Sequence, residues 1–251
     1  MTSSPLLTPQ LHGVGHLPAA MQPTTRHLPS ATRLAPEPLG VPAGPGGGGS
    51  VYRRLGKRLL DVTLVVVTLP VSLPIIGIFA LALWIEGGNP FYYQDRLGRG
   101  ARVFRMYKLR TMSRDAQQRL AELLANDAAL AEEWYLTQKL KNDPRITPLG
   151  GFLRRASIDE LPQIWNVLTG DMSLVGPRPM MPDQLDLYGD AQSYKALQPG
   201  ISGFWQVRER NDSHFSFRSK LDKAYNEQLS LWVDLHVLWK TVSVVMRRTG
   251  Y

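Results

Sequence analysis

Cysteine is absent from the 251-residue chain, and negative charge is in deficit. Without cysteine the protein has no disulfides and no thiolate metal sites. Lys and Arg number 29 against 21 Asp and Glu, which gives a net charge of +8. Such a balance suits nucleic acid, an anionic membrane surface or a phosphorylated substrate. Hydrophobic residues make up 43% of the chain and Trp occurs six times, which excludes global disorder.

Residues 1–50 have little charge and no helical or strand period. Pro and Gly are frequent there, and the segment ends in four glycines followed by Ser50. It also lacks the ordered basic, apolar and small-residue regions of a secretory signal. The composition predicts a disordered tail over residues 1–50.

Charge is missing altogether from residues 62–85, a run long enough to cross a bilayer, which takes about 20 apolar residues. Pro70 and Pro74 lie inside it, and proline bends a helix. Lys and Arg mark the cytoplasmic side of a membrane segment, and here both flanks are basic. We therefore predict a re-entrant helical hairpin over residues 51–86, bent at Ser72 and Pro74. A tilted span and a buried helix of a soluble protein are the alternatives.

The remainder, residues 87–251, has mixed periodicity. Short strands are predicted at 91–93 and 103–107 around a glycine turn. Helices are predicted at 114–140, 161–168 and 231–245. The tryptophans of the last helix suit either a membrane interface or a core. The expected fold is mixed α/β and predominantly helical, a compact cytoplasmic catalytic domain on the membrane hairpin.

Two adjacent carboxylates, Asp159 and Glu160, have both a structural and a functional interpretation. Ser157 and Glu160 have the spacing of a capping box, and Pro162 suits a first helical turn, which favours Asp159 as the helix cap. A catalytic role is favoured by nearby basic residues and by Arg178, whose flanking prolines would hold its guanidinium for bidentate phosphate binding.

The order and spacing of several motifs resemble one enzyme family. They are Lys57-Arg58 with Asp61, Gln94-x-Arg96-x-Gly98, and residues 107–112, 157–163, 166–168, 170–173, 175–179, 199–203 and 205–207. Together they resemble the bacterial sugar transferases, which are monotopic polyprenyl-phosphate phosphoglycosyl transferases, over about residues 55–251. Residues 133–134, 143–145, 210–212 and 250–251 further resemble the exopolysaccharide-priming galactose-phosphate transferases.

The resemblance implies an activity and its partners. A phosphoglycosyl transferase of this kind would transfer a sugar 1-phosphate, galactose or glucose, from a UDP-sugar to undecaprenyl phosphate. It would release UMP and prime exopolysaccharide biosynthesis. It would act at the bacterial inner (cytoplasmic) membrane, with the catalytic domain facing the cytoplasm and in contact with membrane lipid. Nucleic acid is not expected as a partner, and a homo-oligomer is compatible with the sequence.

The resemblance also implies residue roles. Asp159 would be the covalent nucleophile of a two-step reaction, and Glu160 would help to hold Mg²⁺. The expected phosphate-binding residues are Arg178, Arg96, Lys108, Arg110, Arg155 and Arg210. Two departures from the family pattern stand out: Leu73 rather than Ser directly precedes Pro74, and Arg208-Glu209 replace a small pair. The competing classes are a basic nucleic-acid-binding protein and a non-catalytic membrane scaffold.

Overall fold

The computed structural model describes residues 51–137, 140–208 and 217–246. The predicted tail over residues 1–50 lies outside them, and the predicted domain boundaries stay predictions. The α-helices are α1 (Lys57–Gly87), α2 (Ala116–Asn126), α3 (Ala128–Thr137), α4 (Pro148–Arg155), α5 (Gln163–Thr169), α6 (Leu185–Tyr188), α7 (Gln192–Ala196), α8 (Phe204–Arg208), α9 (Phe217–Gln228) and α10 (Leu231–Met246). The strands are β1 (Phe91–Leu97), β2 (Val103–Leu109), β3 (Ser173–Val175) and β4 (Gly200–Ser202). The predicted mixed α/β, mostly helical class is confirmed.

Helix α1 is continuous from end to end. A π-helical turn at Tyr52–Gly56 leads into it, and both Pro70 and Pro74 lie inside it. The predicted hairpin therefore does not consist of two separate helices that meet at Pro74. Whether α1 enters a membrane and returns stays a prediction. At the other end Gly88 has φ 84°, a conformation open to glycine, and its N–H bonds the Trp84 carbonyl at 2.8 Å.

One face of α1 packs along the rest of the protein. Asp61, Val65 and Leu83 are each at most 1% exposed. The opposite face exposes large apolar side chains: Val66, Val67, Val71, Leu73 and Ile78. Within the described residues, Tyr52–Gly87 is the helical stretch whose length and composition would allow it to cross a membrane, and 11% of its most apolar window is buried.

Strands β1 and β2 form an antiparallel hairpin, which confirms the two predicted strands and extends both. Phe91 pairs with Leu109 at one end and Leu97 with Val103 at the other. The connection is a 3₁₀ turn at Arg99–Ala101 in which Gly100 has φ 68°. Alternate residues of β2, including Phe104 and Met106, point into the core against α1 and α5.

The single helix predicted over 114–140 is two helices, α2 and α3. Asp127 separates them, and its Oδ1 accepts hydrogen bonds from the N–H groups of Ala129 and Leu130 at 2.9 and 3.1 Å. A side chain that satisfies the first N–H groups of a new helix favours a fresh start there. Leu120, Leu123, Leu124 and Trp134 keep a helical spacing across Asp127, which is why periodicity alone joins the two helices.

Strands β3 and β4 form a two-stranded parallel sheet in the C-terminal half of the chain. Ser173 pairs with Gly200, and Val175 with Ser202. A Cβ on Gly200 would lie 2.1 Å from the Gly176 nitrogen, so this approach requires glycine.

Helices α8, α9 and α10 surround an apolar core built on Phe204, Tyr225, Val233 and Val237. Helix α10 buries one face there and exposes Trp232 and Trp239 on the other, at 64% and 73%. The core packing of α10 is confirmed, and contact of these two exposed tryptophans with a membrane stays a prediction.

Candidate active site

The carboxylate pair lies on a short 3₁₀ turn, Ile158–Glu160, between α4 and α5. Ser157 enters this turn with φ 56°, a left-handed conformation that is uncommon for residues other than glycine and is often found at functional sites. The predicted capping role is wrong, because Pro162 is the N-cap of α5 and the Ser157 side chain makes no capping hydrogen bond. The pair therefore precedes the helix rather than capping it.

Two cations converge on Glu160. Strand β2 presents Lys108, whose Nζ donates to Glu160 Oε1 at 2.9 Å and lies 3.9 Å from Asp159 Oδ2. The loop after β3 presents Arg178, whose Nη2 donates to the same Glu160 oxygen at 3.4 Å. Asp159 itself is buried, at 7% exposure. These four residues were predicted as site residues, and the fold brings them together.

Burial raises the pKa of Asp159 above its ordinary value. The positive charge of Lys108 opposes this shift, and the negative charge of Glu160 reinforces it. More weakly, Arg154 and Arg178 also favour the ionised form. The nucleophile candidate thus lies in a poorly solvated place where the surrounding cations determine its charge.

Arg154, which was not predicted as a site residue, is a neighbour of the pair. Its Nε donates to Thr111 Oγ1 at 2.8 Å, which fixes the guanidinium beside the turn. Burial lowers the pKa of Arg154, while the charge of Asp159 acts in the opposite direction. The signal in the sequence was its position in the basic pair just before the carboxylates.

Arg96 braces the loop that carries Arg178. Its Nη2 donates to Gln94 Oε1 at 2.7 Å, and its Nη1 donates to the Pro179 carbonyl at 3.3 Å. The guanidinium of Arg96 thus contacts the residue that directly follows Arg178. The predicted phosphate-binding role of Arg96 stays a prediction.

Other predicted site residues lie elsewhere. Arg110 donates to the carbonyls of Leu83 and Gly87, each at 2.8 Å, so it caps the end of α1 and does not contact the pair. Arg155 is exposed and lines a cavity of about 500 Å³ with Arg154. Arg210 lies outside the described residues. In α1, Ser72 is buried with no hydrogen-bond partner for its Oγ in the described part of the chain, and Pro74 is exposed.

The donor set at the pair suits a metal that needs few protein ligands. No group of three or more His, Asp or Glu side chains that could hold a metal ion occurs in the described ranges. Mg²⁺ commonly binds through one or two carboxylates completed by substrate phosphates and water. Asp159 and Glu160 fit that requirement and would not form an all-protein cage.

The chain belongs to the bacterial sugar transferase family, whose model matches residues 52–248. It is 43% identical over 198 residues to the undecaprenyl-phosphate galactose phosphotransferase of Salmonella typhimurium. It is 42% identical over 198 residues to the UDP-galactose-lipid carrier transferase of Erwinia amylovora. Each comparison covers 78% of this chain but only 42% of the relative.

A relative of similar length is the exopolysaccharide production protein ExoY of Rhizobium meliloti. It is 38% identical over 225 residues, which cover 89% of this chain and 99% of ExoY. The chain therefore spans less than half of the first two relatives and nearly all of the third. The predicted family resemblance is confirmed.

Proposed function

We propose that the protein is a phosphoglycosyl transferase that moves a sugar 1-phosphate, galactose or glucose, from a UDP-sugar to undecaprenyl phosphate. UMP is released, and the lipid-linked sugar primes exopolysaccharide synthesis. The carrying observation is the buried Asp159 beside Glu160, with Lys108 and Arg178 on the same Glu160 oxygen. The names of the relatives, which include galactose and exopolysaccharide, support the choice of substrates.

The reaction proceeds in two displacements. Asp159 attacks the sugar-bearing phosphorus of the donor, and UMP departs. The lipid phosphate then attacks the same phosphorus and restores the free carboxylate. Lys108 and Arg178 neutralise charge on the phosphoryl oxygens, which is the main task of a protein in phosphoryl transfer. Arg154 holds positive charge beside Asp159 and favours its ionised form.

Mg²⁺ is the proposed cofactor, with Glu160 as its main protein ligand. When bound, the ion supplies Lewis-acid charge next to the donor diphosphate. Glu160 also receives hydrogen bonds from Lys108 and Arg178, so its carboxylate is fixed in place before any ligand arrives.

The proposed location is the inner membrane, with α1 re-entrant and the catalytic domain in the cytoplasm. The apolar face of α1 is exposed along its length, and both of its ends hydrogen-bond to the same domain. This arrangement would bring a soluble donor and a lipid acceptor to one interface.

A donor panel tests the proposal directly. Detergent-solubilised full-length protein is mixed with undecaprenyl phosphate and one of several nucleotide-sugars, and nucleoside monophosphate is measured. We expect acceptor-dependent UMP release from UDP-galactose or UDP-glucose, lost in excess chelator and restored by Mg²⁺. A scaffold or a nucleic-acid-binding protein would release none with any donor, and full activity in chelator would refute the role of the metal.

A further inference from the structure

Arg218, which was not predicted as a site residue, lies beside Arg178. Arg218 on α9 stacks over the indole ring of Trp205, with its Cζ 4.0 Å from the ring centroid. The Cζ of Arg178 lies 5.8 Å from the same centroid. Trp205 is 8% exposed, so its ring is a fixed platform that orients both guanidinium groups.

Arg96 completes the group, and the three cations repel one another. Burial lowers the pKa of Arg218 to about 9 and that of Arg96 to about 10, with repulsion from Arg178 as the next cause in both cases. Arg96 and Arg218 are therefore still cationic at neutral pH. We call Arg96, Arg178 and Arg218 on Trp205 the arginine cluster.

Asp222 lies on the same helix as Arg218 and interacts with it electrostatically. Asp222 accepts a hydrogen bond from Tyr188, and burial raises its pKa to about 7. It is therefore only partly ionised at neutral pH. Glu160 is shared between Arg178 and Lys108. Several guanidinium groups gathered beside the carboxylate pair are suited to bind a phosphate.

The proposed two-step chemistry uses one position twice. In phosphoryl transfer the attacking and leaving oxygens lie roughly in line with the phosphorus. In the first step Asp159 attacks, so the departing nucleotide phosphate lies opposite its carboxylate. In the second step the bond to Asp159 breaks, so the attacking lipid phosphate must approach from that same opposite side. The phosphate that leaves and the phosphate that arrives therefore occupy one place in turn.

We infer that the arginine cluster is this shared subsite, which binds first the phosphate of the departing nucleotide and then the phosphate of the incoming lipid. Arg178 joins the cluster to Glu160, so the subsite begins one side chain away from the nucleophile. Arg218 is assigned as a positioning residue for both phosphates. The inference rests on the proposed function and adds to it a common acceptor and leaving-group site.

Bonds and charges balance in both steps. First an oxygen of Asp159 bonds to the sugar-bearing phosphorus, the bond to the bridging oxygen breaks, and its electron pair leaves with UMP. Next a lipid phosphate oxygen bonds to that phosphorus, and the electron pair of the broken bond returns to the Asp159 carboxylate. Neither step needs a proton donor, which suits a subsite made of guanidinium groups that stay protonated.

Two-substrate kinetics of the solubilised full-length protein test the shared subsite. In a two-step reaction kcat/KM for the donor reports the first displacement and kcat/KM for the lipid phosphate reports the second. We expect Arg218→Ala to lower both by at least about tenfold, by factors that agree within about threefold, and to weaken inhibition by UMP to a similar degree. Arg218→Lys should recover part of each loss. Lys220→Ala, an exposed loss of the same charge on α9, should change none of them.

Every outcome of that comparison bears on the inference. A loss confined to the donor or to the lipid phosphate would overturn the sharing, as would unchanged UMP inhibition. If Arg218→Ala does not fold, Arg218→Lys serves alone, and it must reduce both kcat/KM values together. Failure of the wild-type protein to release UMP would refute the proposed function itself, whereas an active protein indifferent to Arg218 would refute only the subsite.

Discussion

At the scale of single residues, a catalytic role explains the burial of the Asp159 carboxylate better than a structural role does. Its neighbours are a lysine, two arginines and a second carboxylate, and it caps no helix. Asp159→Asn should keep the shape of the side chain and remove the nucleophile, so we expect turnover to fall by at least about 10³-fold. Incubation with donor alone should leave a sugar-phosphate adduct on the wild-type protein and none on the variant, as seen by rapid-quench mass spectrometry.

Two further variants make the Asp159 result interpretable. Asp186→Asn makes the same exchange at an exposed position on α6 and should leave adduct and turnover unchanged. Asp159→Ala excludes activity regained by deamidation of Asn. Turnover that persists in both Asp159 variants would eliminate the covalent mechanism.

The acid limb of the pH profile should reflect the raised pKa of Asp159. The nucleophile must be ionised, and burial shifts its pKa above the ordinary value for Asp, about 3.9. Activity should therefore fall with decreasing pH at a higher pH than an exposed carboxyl would cause. Lys108→Met removes the cation that lowers this pKa most and should move the limb of kcat/KM for the donor upward. A limb that moves downward in that variant would contradict the electrostatic assignment.

Arg178 is expected to need its planar fork and not only its charge. It contacts Glu160 through one nitrogen and faces the Trp205 ring, a geometry that a lysine ammonium cannot reproduce. Arg178→Lys should lower kcat/KM for the donor by at least about tenfold, with unfolding temperature nearly unchanged. Arg102→Lys, on the surface at the start of β2, is the matched control. Kinetics close to wild type in Arg178→Lys would make its role structural.

The sequence allowed the four contacting site residues to be predicted, because each lies in a short local motif. Arg218 could not be predicted, since nothing in its own segment marks it. Its role depends on Trp205 and on Arg178, which other parts of the chain bring beside it. The left-handed backbone conformation of Ser157 could not be predicted either, because the capping-box spacing suggested an ordinary helix start.

At the scale of elements, a buried polar network fastens the start of α1 to α10. Lys57 Nζ lies 2.8 Å from Asp234 Oδ2 and 3.0 Å from the Tyr225 hydroxyl. The hydroxyls of Tyr52 and Tyr225 each donate to Asp234 at 2.6 Å. With exposures of 9% and 1% for the two charged side chains, the ion pair is removed from water. Each of the two charges therefore needs the other to offset the cost of its removal from water.

Removing one partner of this pair should be costly. Lys57→Met leaves Asp234 buried without its cation, and we expect a loss of about 3–5 kcal/mol in the free energy of unfolding. The double variant Lys57→Met/Asp234→Leu should be destabilised by much less than the sum of the single changes. Arg119→Met breaks an exposed pair, which water and salt screen, and should change the stability little. Denaturant unfolding in detergent measures all four, and additive single changes would mean that the network has no coupling.

Helices and strands could be predicted where the spacing of apolar residues agreed with the positions of capping residues and prolines. The strand hairpin and the final helix were found in place, since alternation and helical spacing were both unambiguous. The division between α2 and α3 was missed because Asp127 caps a new helix, although the apolar residues on both sides of it keep one helical spacing. In α1 the prolines suggested an interruption, yet the backbone remains helical through both.

At the scale of the whole molecule, the contacts at the two ends of α1 restrict the membrane topology that can be proposed for it. Arg58 near its start donates to the carbonyls of Val167 and Leu168, and Arg110 binds the carbonyls of Leu83 and Gly87 near its end. The sequence showed basic residues on both flanks, but not that each end is tied to the same domain. A domain that holds both ends cannot lie on both sides of a bilayer.

The last prediction concerns this topology. A straight helix of 31 residues would be about 46 Å long, enough to put its ends on opposite sides of a membrane. The contacts at both ends favour entry and return from one side. Because the chain has no cysteine, Leu55→Cys and Asp95→Cys each introduce a single label site, both at exposed positions. We expect both to react with an impermeant maleimide in inverted membrane vesicles and neither to react in intact cells.

Val71→Cys on the exposed apolar face of α1 is the internal control and should resist the reagent in both preparations until detergent is added. If Leu55→Cys and Asp95→Cys react from opposite sides, α1 spans the bilayer, and the contacts of Arg58 and Arg110 with one domain could not both exist in the membrane. If Val71→Cys reacts freely in vesicles, the apolar face is open to water, and α1 is not a membrane helix. Equal labelling of the two flanks from one side with a protected centre is the pattern expected of a re-entrant helix, and it excludes a helix that spans the bilayer.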